Sequence, residues 1–317
     1  MNPPGLLRAE VPAVLSGERV DRVVATLTSL SRSGVAALVG ADAVRLGGLP
    51  VRNAAQRVAV GDVLEVDLPP PPVTRLVGDP SVEVVVVHAD PAVIVVDKPA
   101  GLVVHPGAGH LTGTLAQGLL ARFPELAEVG EASRPGIVHR LDRPTSGLLA
   151  VARTPQAHQS LSAQLAARTM SRSYLALVWG SVEAEAGVVD APIGRAERDP
   201  TRMAVASGGR AARTAYKVLR RYASPPTTLL ECELETGRTH QIRVHLSAIG
   251  HPVLGDNRYG AARRGLDSGW TGASPCPPGR VWLHAQRLAF DHPTTGERIE
   301  LSAPLPPELQ AVLDAAH

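Results

Sequence analysis

The sequence predicts an α+β protein with a large unit built around a mixed sheet and a smaller unit before it. Three observations indicate this architecture. The chain has 317 residues, which exceeds one average domain. Four consecutive prolines, at 69–72, interrupt it. Beyond them, strand-like and helix-like segments are mixed without the regular alternation of a βαβ fold.

The composition is typical of a globular protein. Hydrophobic residues make up 44% and charged residues 20% of the chain, which suits a sizeable core and excludes disorder over most of its length. There is no run of 18 apolar residues and no signal-peptide pattern at the start. Two cysteines, Cys232 and Cys276, are too few for a disulfide framework or a four-cysteine zinc site. We expect a cytoplasmic protein with no membrane partner.

The net charge of +2 conceals two basic segments. Residues 134–172 hold six arginines against one acidic residue, and residues 201–265 hold eleven Lys and Arg against four acidic residues. The rest of the chain is therefore acidic, and this asymmetry suggests a concave surface for a polyanion. Nearly all the cations are arginines. Arginine suits phosphate contacts and base stacking, although genome composition would explain the same bias.

The pattern of the small unit, residues 15–68, predicts two helices followed by short strands. Apolar residues between 20 and 30 recur at helical spacing, and a second helix is expected to end at Gly40. Glycines at 47–48 mark a turn, and residues 63–67 alternate as a strand.

This unit resembles the S4 RNA-binding domain found in ribosomal protein S4. The resemblance rests on the residues at 18–22, 30–33, 44–51 and 60–64. Equal numbers of arginines and acidic residues leave this copy neutral, so it would bind RNA only through a polarised face. A packing or linker role is the alternative. The prolines that follow predict an extended linker over 69–80.

The large unit begins with strand signals. Continuous β-branched runs at 82–87 and 93–96 predict buried strands. A helix is expected at 112–122, with Thr112 or Thr114 as its cap. A strand at 148–152 leads to a helix that Thr154 caps, with proline at its first position.

Further strands are expected at 173–179 and 212–219. Three apolar residues at 230–234 alternate with glutamates, so this strand is expected to bury one face and to place Cys232 in the core. Two more elements follow: a helix capped by Thr239 and ended by Gly250, and a hairpin at 290–299.

The stretch at 139–149 carries the clearest chemistry. It reads His-Arg-Leu-Asp-Arg-Pro-Thr-Ser-Gly-Leu-Leu, so that its one carboxylate, Asp142, lies among cations and before a turn. Nearby positive charge favours the ionised aspartate, which suits a nucleophile or a base better than a general acid. A structural Asp–Arg pair is the alternative interpretation. Segments 171–180, with Tyr174, and 235–246, with Arg243, add an aromatic residue and further cations.

Together these segments resemble the RluA/RluD family of RNA pseudouridine synthases. The family's catalytic signature stands at 139–148, and its later motifs stand at 172–180, 236–245 and 250–256. Residues 97–109 are most similar to the D type, which acts on large-subunit rRNA. Departures are small: Arg172 stands where lysine is common, and an irregular segment at 262–280 is expected to be a surface loop.

This resemblance covers residues 15–308 and implies a pseudouridine synthase fold with a mixed, mostly antiparallel central sheet and a cleft. It implies a catalytic domain at 81–308. It also implies that Asp142 is the catalytic aspartate, that Tyr174 packs on the target base and that Arg243 pairs with the aspartate. Candidate RNA contacts are Arg140, Arg238 and His240, with His139 and Gln241 as weaker ones.

The implied reaction breaks the N1–C1′ bond of a uridine and joins C5 to C1′. As an isomerisation it needs no cofactor. The uridine must first leave its stack. The expected partner is RNA, most specifically a stem-loop of 23S ribosomal RNA, and the expected state is a monomer. Transfer RNA remains an alternative target.

Three other functions are weighed against this one. A metal site is disfavoured because no His, Cys and acidic residues stand at ligand spacing. A glycosidase normally needs two working carboxylates, and the motif offers one. A non-catalytic RNA-binding protein built around the S4-like unit is the third, and it would be unaffected by loss of Asp142.

Overall fold

The computed structural model describes residues 6–28, 30, 32–68, 75–107, 110–196, 199, 201–260 and 276–316. The chain divides into two units, residues 1–74 and 75–317. Residues 69–74 of the predicted linker at 69–80 lie outside the described residues. So do residues 262–275 of the predicted surface loop at 262–280.

Two helices and a four-stranded antiparallel sheet form the small unit. They are α1 (Val20–Thr28), α2 (Arg32–Gly40), β1 (Leu6–Glu10), β2 (Val44–Leu46), β3 (Leu49–Pro50) and β4 (Val63–Asp67), with strand order β1-β4-β2-β3. The two predicted helices, the glycine turn and the strand at 63–67 are confirmed. The sequence analysis missed β1, whose five residues are too few and too mixed to show a clear alternation. Valines of α1 share one core with Val44 and Leu64.

The large unit contains thirteen named strands and four named α-helices within its described part. The strands are β5 (Val86–Ala89), β6 (Val93–Lys98), β7 (Gly130–Glu131), β8 (Arg134–Pro135), β9 (Ser146–Ala152), β10 (Ser171–Trp179), β11 (Ala186–Asp190), β12 (Ile193–Arg195), β13 (Met203–Val205), β14 (Arg213–Ala223), β15 (Pro226–Leu234), β16 (Leu283–Asp291) and β17 (Arg298–Ser302). The helices are α3 (Leu115–Arg122), α4 (Pro155–Ala167), α5 (Gln241–Ala248) and α6 (Pro307–Asp314).

Nine of these strands form one sheet, in the order β11-β14-β15-β10-β16-β9-β6-β5, with β17 paired to β16. Strands β9 and β16 run parallel, and every other described pair in this sheet is antiparallel. The predicted α+β class and mixed, mostly antiparallel sheet are therefore confirmed. The hairpin at 290–299 is confirmed too, because Phe290 lies opposite Ile299.

The middle of the sheet is covered on both faces. One face of β6 and β9 packs with α3 through Ile94, Leu149 and Leu119, and the other face packs with α4 through Val95 and Leu161. Burial on both faces explains why β6 and β9 appear in the sequence as continuous apolar runs. Cys232 is fully buried on β15, as predicted.

The strand predicted at 82–87 is wrong in its bounds and its burial. Strand β5 begins at Val86, and Val85 and Val87 are 47% and 41% exposed. The physical reason is that Val85 and Val87 lie two residues apart and therefore share one face of the strand, which is exposed, whereas Val84 on the other face is buried. A β-branched run by itself does not distinguish an edge strand from a central one.

Two helix starts follow the predicted capping chemistry. Thr114 is the N-cap of α3, where its side chain and backbone amide both donate to Gln117 Oε1. Thr154 Oγ1 accepts the amide of Ala157 at 3.1 Å at the start of α4. These caps place α3 and α4 on opposite faces of β9, the strand that follows the Asp142 segment.

Candidate active site

Asp142 lies in the turn that leads into β9. The amide of Thr145 donates to the carbonyl of Asp142 at 3.1 Å and closes the turn. Two buried basic side chains hold the next carbonyls: Lys98 Nζ lies 3.4 Å from the oxygen of Arg143, and Arg280 Nη1 lies 2.6 Å from that of Pro144. These contacts therefore hold the backbone around Asp142 in place. The side chain of Asp142 stays 15% exposed.

The cation that binds Asp142 comes from far along the chain. Arg243 Nη1, on α5, donates to Asp142 Oδ2 at 3.1 Å. The local sequence suggested the flanking arginines as the source of the positive charge, and the family resemblance implied Arg243. Arg140 is exposed, and Arg143 donates to the carbonyl of Gly101 and contacts His110. Arg243 therefore supplies the ion pair.

Burial and the two neighbouring carboxylates shift the pKa of Arg243 in opposite directions. Burial alone lowers the pKa of its guanidinium, while the hydrogen bonds and charges of Asp256 and Asp142 raise it, and the net pKa lies above the ordinary value. The guanidinium is therefore a permanent cation that faces two carboxylates. It also lies 5.1 Å from the ring centre of Tyr259, at cation–π distance.

Tyr174 lies on β10, in the middle of the sheet, opposite Cys232. The residue is 4% exposed, and burial raises the pKa of its phenol to about 12, with Arg172 acting the other way. The phenol is therefore neutral at physiological pH. A neutral, buried ring suits packing against a base better than removal of a proton.

His240 stands beside the Asp142 carboxylate. Its Nε2 lies 4.0 Å from Asp142 Oδ1, and its Nδ1 lies 2.6 Å from the hydroxyl of Tyr259. Burial lowers the pKa of His240, which favours the neutral imidazole. The helix predicted to start with Thr239 as cap instead has His240 as N-cap, in a left-handed conformation with φ of 57°. This conformation accompanies a turn that brings the ring beside Asp142.

Both the oxygen and the nitrogen of the Gln241 side-chain amide form hydrogen bonds within the protein. Its Oε1 accepts from the hydroxyl of Thr236 and the amide of Arg238, and its Nε2 donates to the carbonyl of Arg213 and to Thr214. Gln241 thus ties the start of α5 to β14. These bonds occupy the side-chain amide of Gln241. The RNA contact predicted for this residue stays a prediction.

His139 and Arg238 also have partners within the protein. His139 Nε2 accepts the amide of Ala150 in β9 at 3.0 Å, and burial lowers the pKa of this imidazole to about 3. Arg238 Nε donates to the carbonyl of Ala211 at 3.0 Å. His139 therefore supports the sheet. Arg238 and the exposed Arg140 keep free N–H groups for other contacts.

All eight predicted site residues line one cavity. Its volume is about 450 Å³, within the range of small-ligand sites. The predicted residues in its lining are His139, Arg140, Asp142, Tyr174, Arg238, His240, Gln241 and Arg243. Arginines from both basic segments line the cavity together with the carboxylates of Asp142 and Glu235, so the two segments that are separate in sequence meet at one site.

No group of three or more His, Cys, Asp and Glu among the residues that the structure describes is arranged to hold a metal ion. Among the described helices, none combines the length and the apolar character of a membrane span.

Comparison with known proteins places the chain in a family. Residues 92–248 match the family described as RNA pseudouridylate synthase. An RNA pseudouridine synthase of Bacillus subtilis is 42% identical over 94% of this chain and 93% of the relative, and one of Chloroflexus aurantiacus is 48% identical over 97% and 94%. The chain belongs to the RNA pseudouridine synthase family.

Two further similarities bear on this pseudouridine synthase. The ribosomal large subunit pseudouridine synthase D of Xanthomonas campestris is 43% identical over 98% of this chain and 92% of that protein. The solved structure of human RNA pseudouridylate synthase domain containing 1 is 30% identical, covers 77% of this chain and 90% of its own, and superposes with a TM-score of 0.56. The enzyme is therefore an isomerase that acts on RNA.

The sequence analysis of this pseudouridine synthase missed several residues of the site. Asp256 binds Arg243, Tyr259 contacts both Arg243 and His240, and Arg280 supports the Asp142 turn. One signal was available for Asp256, which is one of only four acidic residues in the basic segment 201–265. No local pattern distinguishes Tyr259 or Arg280, because their partners are far away in sequence.

Proposed function

We propose that this enzyme converts uridines of 23S ribosomal RNA to pseudouridine, with Asp142 as the reacting carboxylate, Arg243 as the group that holds it and Tyr174 as the ring that packs on the base. The observation that carries the proposal is the Asp142–Arg243 pair, at 3.1 Å, inside a cavity that Tyr174 also lines. The rRNA target rests on relatives named ribosomal large subunit pseudouridine synthase D, such as the Xanthomonas protein.

The contacts of Asp142 suit either of two chemical routes. Arg243 binds Oδ2, while Oδ1 has His240 at 4.0 Å as its described neighbour. Oδ1 is therefore the oxygen placed to attack C1′ or to remove the C2′ proton of the sugar. Both routes break the N1–C1′ bond, keep the detached uracil in the cavity and form the C5–C1′ bond. The proton on C5 is lost and N1 gains one, and in the second route the proton taken from C2′ returns to C2′ when the C5–C1′ bond forms, so the reaction needs no added group.

RNA binding provides the free energy that the flipped nucleotide requires. Extruding a base from a stack costs a few kcal/mol, and stacking on an aromatic ring returns about 1–3 kcal/mol. The arginines around the cavity provide phosphate contacts. Arg140 and Arg238 are the proposed RNA contacts, His240 faces the sugar, and His139 and Gln241 act through the fold.

We propose the same domain roles that the sequence suggested. Residues 15–68 form an S4-like RNA-binding unit, and residues 81–308 form the catalytic domain. The enzyme acts as a cytoplasmic monomer. Two helices and a four-stranded sheet in the small unit support the first assignment.

The test of the proposed function is a complementation experiment. A strain that lacks the gene receives the wild type, Asp142→Asn or the control Asp291→Asn, which makes the same chemical change outside the cavity. Pseudouridines in 23S rRNA and in tRNA are then mapped by carbodiimide modification. We expect the wild type and the control to restore specific 23S rRNA positions, and Asp142→Asn to restore none.

The same variants are compared in vitro with RNA that carries tritium at uridine C5. Tritium release from Asp142→Asn should fall by at least about 10⁴-fold, the scale of losing an essential reacting group. Modification by Asp142→Asn would refute the role of Asp142. Restored positions confined to tRNA would refute the rRNA target, and free uracil as the product would indicate a glycosidase.

A further inference from the structure

The guanidinium of Arg243 is divided between two carboxylates. Its Nε and Nη2 donate to Asp256 Oδ2 and Oδ1 at 2.6 and 3.0 Å, and its Nη1 donates to Asp142 Oδ2 at 3.1 Å. A guanidinium is a rigid plane with five N–H donors in fixed directions. Binding one edge to Asp256 therefore determines where the remaining nitrogen points.

Asp256 is itself held by the backbone. Its side chain is 1% exposed, and its Oδ1 accepts the amides of Arg258 and Tyr259 at 3.0 and 3.2 Å. The neighbouring Gly255 has a φ of +77°, and a Cβ there would lie 2.3 Å from the carbonyl oxygen of Arg280. This close packing leaves the Asp256 carboxylate little freedom, so Arg243 adapts to Asp256 and not the reverse.

We propose that Asp256 is a positioning residue, which directs Arg243 to a single oxygen of Asp142 and so leaves the other oxygen open to the sugar. Arginine and a carboxylate prefer a two-fold, parallel pairing. Without Asp256, the buried Arg243 would turn to bind both oxygens of Asp142 and would block the one that reacts. Two carboxylates around one arginine also leave the cluster with a net negative charge, which the reaction at C1′ or C2′ needs. This inference rests on the proposed role of Asp142.

The experiment measures single-turnover pseudouridine formation and RNA binding separately. The variants are Asp256→Asn and Asp256→Glu, with Asp291→Asn as the matched control, since Asp291 is also an ion-paired aspartate but lies outside the cavity. We expect Asp256→Asn to lower the rate by about 10²-fold, the effect of a misplacement of about 1 Å. The dissociation constant for RNA should stay unchanged, which distinguishes positioning from a general loss of structure.

A double-mutant cycle tests whether Asp256 acts through Arg243. In an Arg243→Lys background, the simultaneous pairing of one guanidinium with Asp256 and Asp142 is already lost. Asp256→Asn should therefore lower the rate there by less than about threefold. Equal factors in both backgrounds would overturn the inference, and so would a loss that appears in RNA binding instead of the rate.

Asp256→Glu is the second variant. It keeps the inference testable if Asp256→Asn shows no cooperative thermal unfolding and is therefore not folded. Glutamate keeps the charge but shifts the guanidinium by one methylene length, so a slow rate with normal RNA binding is expected, and a full rate overturns the inference. Asp142→Asn is measured in parallel. If Asp142→Asn is active, the proposed function fails; if it is inactive while Asp256→Asn and Asp256→Glu are both fully active, only the present inference fails.

Discussion

At the scale of single residues, the segment at 139–148 combines two different tasks. Asp142 faces the cavity and binds Arg243, whereas His139, three residues earlier, accepts the amide of Ala150 and stabilises β9. The motif alone does not separate these tasks, because it shows which residues occur together and not which direction each side chain takes. The structure therefore distinguishes Asp142, the proposed reacting group, which faces the cavity, from His139, which supports the sheet.

The neutral state of His139 leads to a prediction about pH. Burial lowers its pKa to about 3, whereas an unfolded histidine has a pKa of about 6.5. The neutral ring thus favours the folded state fully above pH 6.5, and this contribution is lost as the pH falls from 6.5 toward 3.

His139→Gln keeps an acceptor for Ala150 and removes the titration. Between pH 6.5 and 5, the free energy of unfolding should fall by about 1–2 kcal/mol more in the wild type than in His139→Gln. Urea unfolding at several pH values measures this difference, and the exposed His110→Gln is the control. Equal slopes for the wild type and His139→Gln would contradict the assigned environment.

At the scale of elements, the contact of β9 with β16 places the Asp142 turn in the sheet. These strands run parallel, with Ser146 opposite His284 and Gly147 opposite Ala285. Gly147 has a φ of +115°, and a Cβ there would lie 2.3 Å from the carbonyl oxygen of Ala285. Only glycine allows this close approach, five residues after Asp142.

Gly147→Ala should therefore destabilise the enzyme by about 2–4 kcal/mol, from backbone strain and overpacking together. Gly296→Ala is the matched control, because Gly296 also has a positive φ, of +73°, but has open space around its Cβ position. The control should cost about 1–2 kcal/mol. Chemical unfolding of both variants measures the difference, and equal losses would show that the contact with Ala285 is unimportant.

At the scale of the whole molecule, the basic segments differ from the small unit in how their charges are used. Arg140 from one segment and Arg238 from the other line the cavity. In the small unit, arginines pair with nearby carboxylates, for example Arg45 with Asp67 at 2.9 Å and Arg52 with Asp42 at 2.8 Å. Phosphate contacts are therefore expected chiefly from the large unit.

The salt dependence of RNA binding tests this distribution of charge. Each phosphate contact changes the slope of log K against log salt concentration by about 0.7 for single-stranded RNA. Arg140→Ala should reduce the slope by about that amount, whereas Arg45→Ala should leave it unchanged. Fluorescence anisotropy titrations over a range of salt concentrations measure both slopes. A larger effect for Arg45→Ala than for Arg140→Ala would show that the small unit carries the phosphate contacts.

The sequence alone was sufficient for the fold class, the family and eight of the residues that line the cavity. Buried strands such as β6 and β9, the caps at Thr114 and Thr154, and the Asp142 segment all depend on residues within a few positions of one another, and local periodicity reports such contacts. The exposed face of β5 was missed because the burial of a strand face depends on what packs against it and not on composition.

Only the tertiary structure decided how the groups around Asp142 are arranged. The family resemblance implied Arg243, 101 residues away, as the partner, but not that its guanidinium binds a single oxygen of Asp142. Asp256 in turn binds Arg243, and Arg280 supports the Asp142 turn from the far end of the 262–280 segment. The physical reason is that strand order and helix packing determine which distant side chains meet, and a charge in the sequence does not reveal which way its side chain points.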